Sequence, residues 1–489
     1  MRTLGVSHIS ALFLFLLTLL QCADSTASAQ SLKLEPCDLP GLKEKVQCGN
    51  LEVFENRTTQ KGRRIKLKVM VVPTTGTERL PDPVFYLAGG PGSAAIEDAP
   101  GVVEQFKSLH QHRDLVFLDQ RGTGSSHPLN CEFYRKDDLQ STLGPYFPLD
   151  DVKKCRALLE RDADLTLYTT PIAMDDLDDV RTALGYQRIN LVGGSYGTRA
   201  SMVYLRQHPD HVRAVILQGV SPTNHFMPYD FPQSTERALQ GVIAECLADQ
   251  TCNQAFPNLR AEVKAVLDRL LERPIEVNVP TPGNGTSETK LKLSRDLAAE
   301  AIRYMLYSAA GASRVPLLLH QAAVGNFVPL TQAAVRFRQQ IVATGSNGMY
   351  LAVTCAEDLP WIKAGEGERL AANTFLGDYR LRQQREACAL WPRATVPSDY
   401  SAPVRSAVPV LIVTGEWDPV TPPKNGDYVG RYFTNSLHIV VPSGGHGLYG
   451  LQGLECIDRL ATQFIEEGTT KNLDQSCVKT IRRRGFDLK

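Results

Sequence analysis

The chain predicts an α/β fold, with a mostly parallel sheet flanked by helices and a mainly helical cap inserted before the last strands. Three observations point there. Apolar runs of strand length, such as Val84-Phe85-Tyr86-Leu87 and Leu115-Val116-Phe117-Leu118, are separated by segments with helical period. Strands interleaved with helices make parallel, helix-covered sheets. The run Ile189-Asn190-Leu191-Val192-Gly193-Gly194-Ser195-Tyr196-Gly197 puts a β-branched strand, a serine between glycines and the start of a helix in immediate succession. From Val220 to about Ala402 the strand–helix rhythm gives way to helical stretches, and it resumes at Val408-Pro409.

Taken in order, residues 1–29 read as a signal peptide. Arg2 supplies the charge, Ala11 to Leu20 the apolar core, and Ala27-Ser28-Ala29 the small-residue cleavage site. The apolar stretch is short for a membrane span, and no later segment approaches that length. Leu19-Leu20-Gln21-Cys22 resembles a lipoprotein processing site, but Gln21 is bulky where a small residue is expected, so a lipid anchor at Cys22 is not the favoured reading. Residues 30–220 form the first part of the core. Leu51 to Phe54 and Ile65 to Val72 enter the sheet antiparallel, and the strands at Val84, Leu115, Ile189 and Val215 follow. Leu177, Val180 and Leu184 share one helical face that Gly185 caps. Thr198 to Arg206 is a helix with Ala200, Val203 and Tyr204 on one face, ending near His208-Pro209. Residues 221–402 form the cap, with helices at Ala261 to Glu272 and Leu297 to Ala310, interrupted by the loop-like Pro280 to Thr286. Residues 403–489 return to the core with strands Val410 to Val413 and Leu437 to Val441.

A chain of 489 residues is too long for one small core. Its 53 acidic and 53 basic residues balance, which argues against a nucleic-acid or polyanion partner. With Cys22 in the leader, ten of the eleven cysteines remain, an even number that suits an oxidising compartment. Short neighbour-to-neighbour separations make sequential pairing the simplest connectivity: Cys37–Cys48, Cys131–Cys155, Cys246–Cys252, Cys355–Cys388 and Cys456–Cys477. There is no Cys-x-x-Cys pair, and neither a metal nor an organic cofactor is expected.

The turn at Ser195 carries a G-x-S-x-G signature, which lifts a serine hydroxyl out of a sheet above a helix N-terminus. A serine is a weak nucleophile, so it needs a base, and the base needs an orienting carboxylate. In α/β-hydrolases these follow in the order Ser, acid, His, in loops after strands. Asp418 follows the strand at Val410, in Glu416-Trp417-Asp418-Pro419, and His446 follows the last strand in Gly444-Gly445-His446-Gly447. Glu416 is the rival acid, whereas His208, His211 and His438 read as structural. Two backbone amides must face the developing oxyanion. Tyr196 supplies one and Gly90, in Gly89-Gly90-Pro91-Gly92-Ser93, the other, with Gly89 as alternate.

With Asp119-Gln120-Arg121-Gly122-Thr123-Gly124-Ser125, Tyr168-Thr169-Thr170 and Trp417-Asp418-Pro419-Val420-Thr421-Pro422, these segments resemble the proline iminopeptidase and tripeptidyl aminopeptidase branch of the α/β-hydrolases from about Asp82 to Leu448. The resemblance implies a secreted or periplasmic serine exopeptidase with a peptide substrate, working through an acyl-enzyme. A secreted carboxylesterase with the same Ser-Asp-His set is the alternative. Asp119 and Arg121 read as loop supports beneath the site, and the chain departs from the resembled pattern at Gln218, where relatives often carry a charge. In such peptidases acidic cap residues capture the substrate amine. Glu357 and Asp358, in a stretch similar to the tripeptidyl branch and tied through Cys355 to Cys388, are the candidates here. Oligomeric state is not legible in the chain.

Overall fold

The computed structural model describes residues 1, 32–135, 138–280 and 288–489, with residues 341–344 in backbone alone. The expected signal-peptide core, its cleavage site and Cys22 lie outside the described residues. The strands are β1 Glu35–Cys37, β2 Val46–Phe54, β3 Arg64–Val72, β4 Val84–Leu87, β5 Leu115–Leu118, β6 Ile189–Gly194 and β7 Val212–Gln218. They continue with β8 Ile275–Pro280, β9 Glu288–Leu293, β10 Val410–Gly415, β11 Ser436–Val441 and the short β12 Leu451–Gln452 and β13 Arg482–Arg483. Nine of them form one sheet in the order β1-β2-β3-β5-β4-β6-β7-β10-β11. Pairing is antiparallel from β1 to β5 and parallel from β5 through β4 to β11.

Both faces of this sheet are dry. On β3, Leu67, Val69 and Val71 join one core while Met70 and Val72 join the other, so its second half reads as an apolar run where its first half alternates. Helices Thr170–Ala183 and Tyr196–Gln207 cover the first face through Met174, Leu177, Val180 and Val203. Helices Ala95–Gln105 and Glu455–Glu467 cover the second through Ala99, Val103, Leu460 and Phe464.

The residues between β7 and β10 are mainly helical and bury a separate core that includes Leu239, Val242, Ile302, Leu319 and Leu330. The sequence expectation is corrected here in two places. The segment around Pro280 is flanked by a β-hairpin, with β8 and β9 in register from Ile275 opposite Leu293 to Pro280 opposite Glu288. Only Val277 and Val279 of β8, and Leu291 and Leu293 of β9, are buried. So short an alternation is overshadowed by the turn-rich residues beside it. The helix expected to reach Ala310 ends at Met305. Ser308 then caps a second short helix, accepting from Gly311 N at 3.1 Å, a local bond that competes with helix continuation.

All ten described cysteines pair as their order suggests, in five disulfides closing separations of 11, 24, 6, 33 and 21 residues. Each adds roughly 2–4 kcal/mol in the loop-entropy account. Non-reducing peptide mapping of the folded protein is expected to return these five pairs and no free thiol among them. Crossed pairs would contradict the fold.

Candidate active site

The turn between β6 and helix Tyr196–Gln207 is enforced by close packing. Ser195 sits at φ 55° and ψ −122°, a left-handed conformation costly for any residue with a Cβ. Its amide donates to Gln218 O at 2.8 Å, and its carbonyl accepts from Thr198 N and Oγ1. Gln218, which departs from the resembled pattern, thus contributes here through its backbone. The glycines have a steric cause. A Cβ on Gly193 would lie 2.4 Å from Gly197 O, and one on Gly197 would lie 2.0 Å from Leu87 O. Any side chain at either position would push the helix off the sheet.

Asp418 and His446 are brought together from the loops after β10 and β11. Asp418 Oδ2 takes His446 Nδ1 at 2.8 Å and Thr421 Oγ1 at 2.7 Å. Its Oδ1 takes the amides of Val420 and Thr421, each at 2.8 Å. Burial opposes charge on Asp418, but the attraction of His446 and the bonds from His446 and Thr421 outweigh it and hold the carboxyl below its ordinary range. The carboxylate therefore holds the imidazole through Nδ1, and His446 lines the cavity. Tyr307 packs edge-on against the ring, 5.0 Å between centroids. Glu416 is engaged elsewhere, accepting from Ser443 N at 3.0 Å.

Ser195 and His446 share a cavity of about 260 Å³. Gly90, Pro91 and Ser93 line it from the core, and Met227, Phe231, Tyr304, Tyr307, Ser346 and Tyr350 line it from the β7–β10 segment. The loop is clamped to that segment, with Ser346 N donating to Gly92 O at 2.9 Å. Gly90 borders the cavity, whereas a Cβ on Gly89 would press on Ser195 Cβ at 3.2 Å. Tyr196 opens the helix, where an amide has no intrahelical partner.

Glu357 and Asp358 are not brought to the cavity, and the expectation that they meet a substrate amine is corrected. Both are 0 % exposed and absent from the cavity lining. Glu357 accepts from Thr170 N at 2.6 Å, Thr170 Oγ1 at 2.7 Å and Tyr400 Oη. Asp358 accepts from Arg199 Nη1 at 2.8 Å. Burial, partly offset by Arg199, pushes both carboxyls above their usual range. Asp358 ties the end of helix Asn347–Glu357 to the helix behind Ser195, and Glu357 ties it to the start of helix Thr170–Ala183. The charged side chains that do reach the cavity are Arg303 and Arg380, with Glu300 bonded to Arg303. Sequence reasoning passed over all three, because in helices Arg295–Met305 and Tyr379–Cys388 they look like ordinary solvated charges.

The supporting residues behave as their types suggest. Asp119 accepts the amides of Ile96 and Ser125, bracing the helix that follows the glycine loop. Arg121 is fully buried in a two-point pair with Asp176, at 2.6 and 2.8 Å, and also donates to Glu55 O and Leu167 O. His208 and His211 bond Asp175 and Asp178, and His438 bonds Asp427 and Thr414, so all three are held as structural links.

Residues 82–451 match the α/β hydrolase fold family. The chain is similar to a tripeptidyl aminopeptidase of Streptomyces lividans, 26% identical over 93% of this chain and 88% of that one. It is also similar to the serine protease Hip1 of Mycobacterium tuberculosis, at 26% over 92% and 91%. Carboxylesterase B of Mycobacterium tuberculosis is similar too, at 25% over 88% and 86%. With the family match spanning most of its length and a serine at the strand–helix turn, the chain belongs to the α/β-hydrolase family and is a serine hydrolase.

Proposed function

We propose that this protein is a secreted serine exopeptidase that cleaves near the N-terminus of peptides. Ser195 attacks the scissile carbonyl and His446 takes its proton through Nε2. Asp418 fixes the imidazole, and the amides of Tyr196 and Gly90 hold the oxyanion until the C–N bond breaks, His446 giving its proton to the departing amine and leaving the acyl group on Ser195. Water then repeats the sequence with His446 as base. The observation that carries the reading is that Ser195 and His446, with Asp418 behind the ring, open on one small cavity covered by helices. A cavity of about 260 Å³ walled by the β7–β10 segment favours a chain end over the middle of a polypeptide. The tripeptidyl aminopeptidase relative favours the N-terminal end. Five disulfides support export to an oxidising compartment.

A second reading, a carboxylesterase, is favoured by one specific feature. None of the described residues lining the cavity is a carboxylate that could receive an ammonium. Tripeptidyl and prolyl reporters with free amines, the same reporters N-acylated, and a short acyl ester separate the two. The exopeptidase reading expects turnover of the free peptides at least tenfold above the blocked ones. Equal turnover, or cleavage of the ester alone, overturns it.

A further inference from the structure

The cavity wall is cationic in a way that the hydrolytic residues do not explain. Arg380 is only 3 % exposed and lines the cavity beside Arg303. Its guanidinium carbon lies 3.6 Å from the centroid of the Tyr146 ring, and Nη2 donates to Tyr350 Oη at 3.3 Å. Its Nε and Nη1 make no hydrogen bond among the described residues. Glu300 gives one oxygen to Arg303, whose Nε and Nη2 both lie at 2.8 Å. The other oxygen stands 3.6 Å from Arg380 Nη1 and accepts no hydrogen bond. One carboxylate thus faces two guanidiniums, and a positive charge is left over inside the cavity.

A guanidinium does not shed its proton, so two of them sharing one carboxylate in a buried wall leave a positive charge that an incoming anion would offset. A carboxylate is the acceptor whose charge and planar geometry suit it best. The arginine is also held in advance. Cys355–Cys388 joins the ends of the two helices that carry Tyr350 and Arg380, and Gln384 Nε2 donates across the same pair to Thr354 Oγ1 at 2.7 Å. Ligand entry therefore needs little reordering of this wall.

We infer that the cavity reads a carboxylate on the substrate through Arg380, with Arg303 adding to the field. The preferred substrate then carries, close to the bond that is cut, either an acidic side chain or a free terminal carboxylate. This rests on hydrolysis at Ser195 and adds the substrate class to it.

Three matched pairs test it: glutamyl against glutaminyl tripeptide reporters, short peptides with free against amidated C-termini, and a glutarate monoester against the pentanoate ester of the same chromophore. The carboxylate member of at least one pair is expected to show kcat/KM at least tenfold higher, and the peptide pair that does so identifies the source of the carboxylate. Arg380→Gln should bring that ratio to about one, and Arg380→Lys should keep part of it. In the unmodified protein, free glutarate should inhibit turnover of an uncharged substrate and raise Tm more than pentanoate does, a readout independent of whether the variants fold. Equal turnover within every pair, with glutarate no better than pentanoate, overturns the subsite and leaves the hydrolase standing. Failure to cleave any substrate overturns the hydrolytic reading instead, and glutarate against pentanoate in the Tm measurement still decides the subsite.

Discussion

Ser195→Ala is expected to lower kcat/KM by roughly 10⁵-fold or more while leaving the unfolding midpoint nearly unchanged. The loss is large because the hydroxyl is the atom that would bond to the acyl group. A residual rate survives because the amides at Tyr196 and Gly90 and the walls of the cavity remain. Stability should hold because the bonds Ser195 makes to Gln218 and Thr198 are through its backbone, and alanine has the same Cβ at φ 55°. Steady-state kinetics beside a thermal melt checks both halves, and a serine-directed phosphonate should label the parent protein at this residue and not the variant. Turnover within tenfold of the parent would remove Ser195 as nucleophile.

Asp358→Ala should act on the fold instead. Arg199 and Asp358 are both fully buried, and Arg199 also donates to His225 O and Ser221 Oγ between the Ser195 helix and the chain after β7. Removing the carboxylate leaves Arg199 with Glu357, 3.9 Å away, as its nearest countercharge and an unmet donor at Nη1, at a cost of about 3 kcal/mol. Denaturant unfolding should report that loss. The folded fraction, assayed well below its Tm, should keep its ratio of free-amine to blocked-peptide turnover. Normal stability with that ratio collapsed would restore Asp358 as a reader of substrate.

These two substitutions mark where sequence reading succeeded and where it stopped. The turn at Ser195 was legible because its signature is contiguous in the chain. A glycine two residues on either side is demanded by backbone a few ångströms away, and the strand and helix it joins lie next to it in the chain. Asp418 and His446 were legible because each sits just past a short apolar strand, where chain order on a parallel sheet dictates which end of the sheet a loop occupies. The cysteine pairing followed for a similar reason, every partner being the next cysteine along.

Glu357 and Asp358 were misread because an acidic pair after a helix looks alike whether it faces a cavity or lies behind its wall. Only packing decides that. Arg199, Thr170 and Tyr400, far apart in the sequence, converge on the pair and leave it no substrate to meet. Arg380 is the converse case, a common surface residue on a very polar helix that the tertiary structure turns inward beside Tyr146 and Tyr350. Readable from the chain alone were the α/β fold, the placement of Ser195, Asp418 and His446 after strands, and the sequential cysteine pairs, since each follows from near neighbours or from chain order along a sheet. Which charges face the cavity was decided only by tertiary packing, because Arg380 is turned inward against Tyr146 and Asp358 is held behind the wall by Arg199, each a partner from a distant part of the chain.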